Sequence, residues 1–449
     1  MFYALGFLLI NFASYFLAIS RGPFWGLFAY MNIYFNSPQE IINWWTLYLP
    51  FHRWSLLTSL VLFVSLAIHW GKTSDHKFRN ARWVYVFLAL SAVVCFTNAF
   101  NPKDANQYLY SLLTYSIIVF ILIKSITSVD QFRLFCLSAI VFAAGLSVKA
   151  YLTGKRVHAR LEYGGSADAY GSNEFSLLLA GIIPLMLPFF KSGKPYEKII
   201  CILSLPFLLN ALVLCNSRGS FIAFAGAIVI ATIISFDKEI TRYFLVLLML
   251  GLPLLLYLSD EYFIDRLSSL VGADEAIESV EGARELSSGR TEIWSYGIDM
   301  AGDNLFGAGP NAFKELARFY MPEEVLTFHP GAKYGVRSAH NTYLQVLVEQ
   351  GVLGFIVWIA MCLHSYLLIV KSFNRVKRVD LDSQFWKFSL FALNISFASI
   401  MIGGLVNSRV YYEFFWWQVA LIAVVTSLVS REIEDKVNPV DENDEKRIY

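Results

Sequence analysis

Three short segments of the chain combine a cationic or titratable side chain with small polar neighbours. Arg218 lies in CNSRGS, Arg290 in SGRTEIW and His340 in SAHNTYLQ. Arginine offers a planar fork of donors that matches phosphate oxygens. The unperturbed pKa of histidine lies near neutrality, which suits proton transfer. These residue types predict a site that binds an anion and moves a proton.

Each of these residues also has a structural interpretation. Arg218 lies between two apolar runs, where an arginine can anchor a helix end at the membrane interface. Arg290 falls in the first turn of a predicted helix, where its charge opposes the helix dipole and needs an anion nearby, either Glu292 or a ligand. A lone interfacial histidine is more often structural, although His340 lies at the mouth of an expected cavity. The segment GAGPNAF, residues 307–313, is interpreted as a tight turn between helices.

The elements that must position these residues are membrane helices. Of the 449 residues, 56% are hydrophobic and only 16% are charged, and the charges fall in short clusters between long apolar runs. A run of about 20 apolar residues crosses a bilayer as a helix. Thirteen apolar segments predict an all-α polytopic protein with about 12 or 13 spans, the second being short enough to be a kinked continuation of the first. They cover residues 1–19, 22–35, 54–70, 83–99, 108–124, 132–150, 173–190, 198–215, 217–236, 242–258, 342–370, 384–406 and 411–430.

Nothing in the composition indicates a metal, another cofactor or a nucleic-acid partner. The net charge is +1, and the five cysteines lie inside apolar runs without metal-ligand spacing. The DLD triplet, Asp380–Asp382, resembles a metal–sugar-nucleotide motif but is interpreted as a solvated loop.

Lysine and arginine recur in alternate short loops, which predicts that these loops face the cytoplasm. The opposite loops, including residues 259–341, should face outward. The basic stretch Lys149, Lys155, Arg156 and Arg160 departs from this pattern. It is either an exception to the rule or a patch that binds an anionic ligand.

The chain is therefore divided into four parts. Residues 1–258 form an N-terminal transmembrane bundle, 259–341 an extracytoplasmic catalytic loop, 342–430 the C-terminal transmembrane helices and 431–449 a cytoplasmic tail. Within the loop, Ser287 or Ser288 is expected to cap a first helix, and Pro310 to open a second. The apolar face of the first helix is predicted to consist of Ile293, Trp294, Ile298 and Ala301.

The order of four segments resembles the O-antigen ligase family. They are SRGS, SGRTEIW, GAGPNAF and HNTYLQVLVEQGVLG, and the resemblance covers roughly residues 170–410. The stretches SRGPFWGLFAYMNIYF and AYGSNEF are similar to a branch of this family that is found with exosortase-type exopolysaccharide systems.

The resemblance implies a membrane glycosyltransferase of the C type in the bacterial inner membrane, with its site facing the periplasm. Such enzymes transfer a glycan from undecaprenyl pyrophosphate to lipid A–core, another glycan or a protein, without a metal. By this resemblance, the essential arginine of the family falls on Arg218, its loop arginine on Arg290 and its loop histidine on His340. The arginines are expected to hold the pyrophosphate, and His340 to take the acceptor proton, with inversion of the anomeric centre. Further candidates for substrate binding are Asn341, Arg337, Arg409, Arg160 and Lys155.

Three alternatives remain open at this point. A polysaccharide polymerase uses the same donor and a similar loop. A protein O-oligosaccharyltransferase is a further possibility within the same reaction class. A lipid-linked glycan transporter would place ionisable residues at mid-membrane in related halves, whereas the candidate residues here lie in or beside an outer loop.

Overall fold

The computed structural model describes residues 2–38, 44–50, 52–73, 78–157, 160–162, 166, 168–235, 237–257, 289–328, 334–379 and 384–437. The predicted caps Ser287 and Ser288 and the triplet Asp380–Asp382 lie outside these residues.

The described residues form helices and one small hairpin. The helices before the outer loop are α1 (Phe2–Arg21), α2 (Gly26–Phe35), α3 (Trp54–Ile68), α4 (Arg82–Asn98), α5 (Pro102–Ser125), α6 (Val129–Thr153), α7 (Ser172–Ile182), α8 (Leu187–Ser192), α9 (Pro195–Leu214), α10 (Arg218–Ser235) and α11 (Lys238–Tyr257). Two antiparallel strands, β1 (Lys155–Val157) and β2 (Arg160–Glu162), follow α6. The later helices are α12 (Gly289–Asp303), α13 (Ala312–Tyr320), α14 (Thr342–Val379), α15 (Gln384–Gly403) and α16 (Glu413–Val437).

These helices confirm the predicted all-α polytopic membrane fold. Within the described part of the chain, eight helical segments are long and apolar enough to cross a membrane, and three shorter apolar helices accompany them. Each predicted apolar segment corresponds to a helix or to a helix pair. Because the short helices fall below the usual spanning length, the total of about 12 or 13 crossings stays a prediction.

The second apolar segment is not a continuation of the first. Gly22, with φ of 132°, and Pro23 end α1, and the chain then reverses. The side-chain Nδ2 of Asn32 donates to the carbonyl oxygen of Phe7 at 3.2 Å, so α2 packs back along α1. The alternative of a kinked continuation is therefore wrong.

The centre of the bundle is formed by α15 and α16, which are the most buried of the long apolar helices. They pack against helices from both halves of the chain, including α5, α8, α10 and α14. Large aromatic side chains fill this core, and Trp358 stacks on Phe415 with ring centroids 4.6 Å apart. The predicted N- and C-terminal membrane parts thus interleave in space. The last helix also continues beyond residue 430 into the predicted tail.

The basic loops gather at one end of the bundle. Lys191 forms an ion pair with Glu239 at 2.9 Å, and Arg133 binds Glu197 through both of its carboxylate oxygens. The ammonium group of Lys124 lies 4.9 Å from the centre of the Trp70 ring. The alternation of basic loops read from the sequence therefore corresponds to one physical face.

At the other end, α12 and α13 form a small core against the start of α14. Ile293, Met300 and Phe313 are fully buried there, whereas Ile298 is 64% exposed. A Cβ on Gly297 would lie 2.5 Å from Leu344, so α12 approaches α14 through this glycine. Since one helical step turns a side chain by about 100°, the next residue faces outward. The prediction that Ile298 belongs to the apolar face is wrong.

The GAG segment fits into a break in α14. Gly351 has φ of 70° inside this helix, and the freed carbonyls of Val348 and Glu349 accept the N–H groups of Ala308 (3.0 Å) and Gly309 (2.9 Å). A Cβ on Gly307 would lie 2.7 Å from the carbonyl carbon of Gln350, so no larger residue fits. The structural interpretation of this segment is supported. The second helix opens at Ala312 rather than Pro310, because Asn311 has left-handed φ of 63°.

Candidate functional site

His340 lies where the outer loop enters α14. The indole Nε1 of Trp294 on α12 donates to the carbonyl oxygen of Ala339 at 3.1 Å and fixes this segment. His340 itself has φ of 47°. Left-handed backbone costs a side chain other than glycine about 1–3 kcal/mol and is retained mainly where the surroundings enforce it.

Asn341 follows immediately and caps α14. Its side-chain Oδ1 accepts the backbone N–H groups of Tyr343 (3.0 Å) and Leu344 (3.1 Å). This is the ordinary role of asparagine before a helix. The cap orients the His340 backbone, and direct contact of Asn341 with substrate stays a prediction.

Three residues other than glycine have positive φ in the described part of the chain. They are Asn216, Asn311 and His340, with φ of 47°, 63° and 47°. Asn216 directly precedes SRGS, Asn311 lies inside GAGPNAF, and His340 opens the last segment. Left-handed backbone therefore occurs inside two of the four segments that carry the resemblance and directly before a third.

A single residue, Asn173, links several candidate elements. Its Oδ1 accepts from Arg160 Nη2 (2.6 Å) and Ser217 Oγ (2.8 Å), and its carbonyl oxygen accepts from Arg409 Nη2 (2.9 Å). Arg160 Nε also donates to the carbonyl oxygen of Cys215 at 3.3 Å. The hairpin, the start of α10 and the loop before α16 therefore meet at the first turn of α7.

Arg218 begins α10 beside this network. Ser217 Oγ and Ser220 Oγ lie 3.0 Å apart, and Ser220 Oγ accepts from Ser176 Oγ at 2.6 Å. A Cβ on Gly219 would lie 2.8 Å from Val406, so the helix start packs tightly on the chain leading to Arg409. The SRGS segment therefore packs against the first turn of α7 and the chain leading to Arg409, and phosphate binding by Arg218 stays a prediction.

Arg409 is deeply buried, with 4% of its surface exposed. Its guanidinium carbon lies 4.5 Å from the centre of the Tyr412 ring, and its backbone N–H donates to Thr342 Oγ1 at 2.9 Å. Thr342 Oγ1 in turn donates to the carbonyl oxygen of Asn407 at 2.7 Å. The start of α14 and the loop before α16 are thereby held together.

Positive charge surrounds His340. Burial first, and then the charges of Arg290 and Arg337, lower the pKa of His340 below its usual value. Glu174 acts in the opposite direction, and Arg409 lowers the pKa further. Desolvation of the guanidinium group, followed by the charge of Arg160, lowers the pKa of Arg290. The imidazole is therefore neutral at physiological pH and able to accept a proton.

The arginines near His340 form no direct ion pair in the part of the chain that the structure describes, and the nearby carboxylates of Glu174 and Asp168 act on the cluster only through longer-range electrostatics. Throughout the described ranges, Arg290, Arg337 and Arg409 form no salt bridge with a carboxylate. Arg337 donates instead to Thr327 Oγ1 at 3.2 Å. Positive charge without a directly bound carboxylate in a partly buried site favours a bound anion.

The β1–β2 hairpin contributes Arg160 to the hydrogen-bond network around Asn173. Lys155, on the same hairpin, has no assigned role in that network. Lys155 lies exposed on β1, in register with Glu162. Its contact with substrate stays a prediction.

A cavity of about 340 Å³ adjoins the cationic cluster. Its lining includes Ser338 and Ala339, which precede His340, and Ser408, which precedes Arg409. The remaining lining differs in character from the cluster, since it is rich in tyrosine and contains two carboxylates. It consists of Tyr108, Tyr115, Asp168, Asn311, Phe313, Lys314, Gln345, Glu349, Tyr411 and Tyr412.

The two cavity carboxylates are held by hydrogen bonds. Asp168 Oδ2 accepts from Tyr34 Oη and from the backbone N–H of Phe414, both at 2.9 Å. Burial raises the pKa of Asp168 to about 6. Glu349 accepts from Gln345 Nε2 (3.1 Å) and Tyr411 Oη (2.5 Å).

Sequence reasoning did not identify Asn173, Asp168 or Glu349 as site residues. The stretch AYGSNEF, which begins directly after Asp168 and contains Asn173, is singled out only as a family signature, and Glu349 lies inside an apolar span. A carboxylate within a membrane helix is a functional signal by itself and could have singled out Glu349. Within the described residues, no group of three or more His, Cys, Asp or Glu side chains is placed to hold a metal ion.

Comparison with known proteins supports the resemblance. The family model described as O-antigen ligase matches residues 203–359, which confirms the similarity to this family. The matched range contains Arg218, Arg290, Arg337 and His340 but not Arg409. No curated protein matches the chain. The family match supports a glycosyltransferase of the O-antigen ligase or polymerase type in a multi-pass membrane protein.

Proposed function

We propose that the protein transfers a glycan from undecaprenyl pyrophosphate to an acceptor hydroxyl at the outer face of the bacterial inner membrane. The acceptor is lipid A–core, a polysaccharide or a similar molecule. The observation that carries this proposal is the cluster of Arg290, Arg337 and Arg409 around a neutral His340, in which no arginine forms a salt bridge with a described carboxylate. A pyrophosphate would neutralise such a cluster, and the neutral imidazole of His340 can accept a proton.

The proposed reaction is a single displacement. The acceptor oxygen forms a bond to the anomeric carbon as the bond from that carbon to the pyrophosphate oxygen breaks. The leaving pyrophosphate takes the electron pair, and guanidinium groups stabilise its charge. His340 takes the acceptor proton. One displacement inverts the anomeric centre, so retention of configuration in the product would contradict this scheme.

The distribution of basic loops supports the proposed membrane orientation. The end of the bundle that holds Lys191, Arg133 and Lys124 carries the short basic loops, which favour the cytoplasm. The site occupies the opposite end and would therefore face the periplasm, where lipid-linked glycans are consumed. The arginines themselves supply positive charge to the leaving group, so the scheme uses no metal.

The length distribution of undecaprenyl-linked glycans in cells that lack the protein tests the function. If the protein is a ligase, long chains remain unattached on the lipid, because polymerisation continues without it. Accumulation of single repeats would assign the protein as a polymerase instead. An unchanged lipid-linked pool would contradict both assignments and favour a different role.

A further inference from the structure

The cavity beside His340 differs in chemistry from the cationic cluster that it adjoins. Asp168 and Glu349 contribute two carboxylates to its wall, against the single ammonium group of Lys314. A phosphate or a uronic acid would meet like charge there. The clustered arginines, in contrast, suit the pyrophosphate. The two compartments therefore favour different parts of a substrate.

Two polar side-chain atoms in the cavity wall lack a hydrogen-bond partner among the described residues. Gln345 is 7% exposed, and its Oε1 forms no hydrogen bond within the described structure, while its Nε2 is held by Glu349. Ser408 Oγ is likewise buried without a partner among the described residues. Buried polar atoms of this kind cost free energy unless a ligand or solvent satisfies them. A ligand rich in hydroxyl groups would satisfy both.

The aromatic side chains provide flat apolar surface next to these polar atoms. The Tyr108 and Tyr411 rings meet with centroids 4.8 Å apart, and Tyr115 Oη donates to the carbonyl oxygen of Tyr411 at 2.9 Å. Tyrosine combines an apolar ring with a polar tip, and the faces of a sugar ring are apolar while its edge carries hydroxyls. The volume of about 340 Å³ lies near the lower end of small-ligand pockets, which run from about 300 to 1,000 Å³.

We infer that this cavity is a sugar subsite, which binds an uncharged mono- or disaccharide unit with its reacting end toward His340. The inference rests on the proposed function and extends it by separating a sugar compartment from a pyrophosphate compartment. The sugar can come from the acceptor or from the first residues of the donor glycan. Both sources present the same chemistry to Gln345, Ser408 and the tyrosine rings.

Photo-crosslinking in cells that lack the native protein tests the inference. The variants Tyr108→p-benzoylphenylalanine and Lys314→p-benzoylphenylalanine place the reactive group in the cavity wall. Tyr110→p-benzoylphenylalanine is the matched control, because Tyr110 lies on the same helix but is 68% exposed and outside the lining. After irradiation, each purified variant is analysed by mass spectrometry for attached glycan. Monodisperse elution in detergent confirms that a variant is folded.

We expect glycan adducts at positions 108 and 314 and none at 110. An adduct whose polyprenyl chain is released by mild acid identifies the donor sugar, and one without an acid-labile lipid identifies the acceptor. Folded variants that yield no glycan adduct at either cavity position would overturn the subsite.

Failure of the subsite and failure of the proposed function have separate readouts. Cells that accumulate long lipid-linked chains without cavity adducts would retain the function and lose only the subsite. Cavity adducts without any change of the lipid-linked pool would retain the sugar site and reject the transfer reaction.

A pair of alanine variants provides an independent measurement. Tyr108→Ala should lower the rate of glycan attachment several-fold, because it removes a ring that lines the cavity. Tyr110→Ala should leave the rate unchanged. Equal rates in the two variants would argue against a role of the Tyr108 ring in binding sugar.

Discussion

The cationic cluster and the cavity are neighbours with opposite character. The cluster gathers Arg290, Arg337 and Arg409 around His340 without a neutralising salt bridge inside the described ranges. The cavity contains Asp168 and Glu349, both held by tyrosine hydroxyls. The cluster leaves charge available for a ligand, whereas the cavity satisfies its charges internally. We therefore expect substitutions in the cluster to act on the reaction, and those in the cavity to act first on stability or sugar binding.

The largest expected effect belongs to His340. His340→Ala removes the proposed proton acceptor, and general base catalysis typically contributes about 10²–10⁴-fold. We expect the rate of glycan transfer from extracted lipid-linked donor to fall within this range, with normal protein levels in the membrane. His52→Ala, in the segment between α2 and α3, is the control and should retain activity. Full activity of His340→Ala would contradict the role of His340 as the proton acceptor and of the cationic cluster as the reaction site.

The next largest effect is expected from arginine-to-lysine substitutions, which distinguish the charge of a side chain from the geometry of its hydrogen-bond donors. Arg218→Lys and Arg290→Lys keep the positive charge but lose the planar fork that binds two phosphate oxygens. A hydrogen bond to a charged group contributes about 1.5–3 kcal/mol, and each 1.4 kcal/mol changes a rate about tenfold. Each variant should therefore lose about tenfold to a hundredfold in kcat/KM for the donor.

Arg318→Lys is the matched control for this pair. Arg318 lies on α13 in the same outer segment, and its guanidinium carbon lies 4.4 Å from the centre of the Tyr334 ring. It contributes to no part of the proposed site, so donor kinetics should stay unchanged. Similar losses in all three variants would indicate a general sensitivity of the loop instead of phosphate binding.

The cavity should respond differently. In Tyr411→Phe, Glu349 loses a hydrogen bond of 2.5 Å, and the N–H of Asn311 loses its acceptor at 3.1 Å. Leaving buried groups unsatisfied costs about 1–3 kcal/mol each, so the Tm in detergent should fall. The pH dependence of turnover should not change, since His340 keeps its surroundings. Tyr110→Phe, at an exposed position, is the control, and an unchanged Tm for Tyr411→Phe would contradict the internal satisfaction of Glu349.

The contrast between the two compartments also explains what the sequence could reveal. Membrane helices follow from long apolar runs, and cations stand out in an outer segment, so the fold and the cluster around His340 were predictable. The cavity was not, because it forms where α5, α14 and the loop before α16 meet, far apart in the chain. Tyrosines such as Tyr108 are common at membrane interfaces, and their convergence on Glu349 depends on tertiary packing. The Ile298 error has a similar origin, since Gly297 sets the face of α12.

The smallest expected effect is a shift of the acidic limb of the pH–rate profile. Two substitutions near His340 should move this limb in opposite directions. His340 must be neutral to accept a proton, so kcat/KM should fall as the pH drops through the pKa of His340. The charge of Arg337 lowers that pKa, and the charge of Glu174 raises it. Arg337→Met should therefore move the acidic limb of the pH–rate profile to higher pH, whereas Glu174→Gln should move it to lower pH. Measurement of kcat/KM across the acidic range in both variants checks the signs. Shifts in the same direction would show that the limb reports a group other than His340, and the separation of a chemical cluster from a binding cavity would then lose its main support.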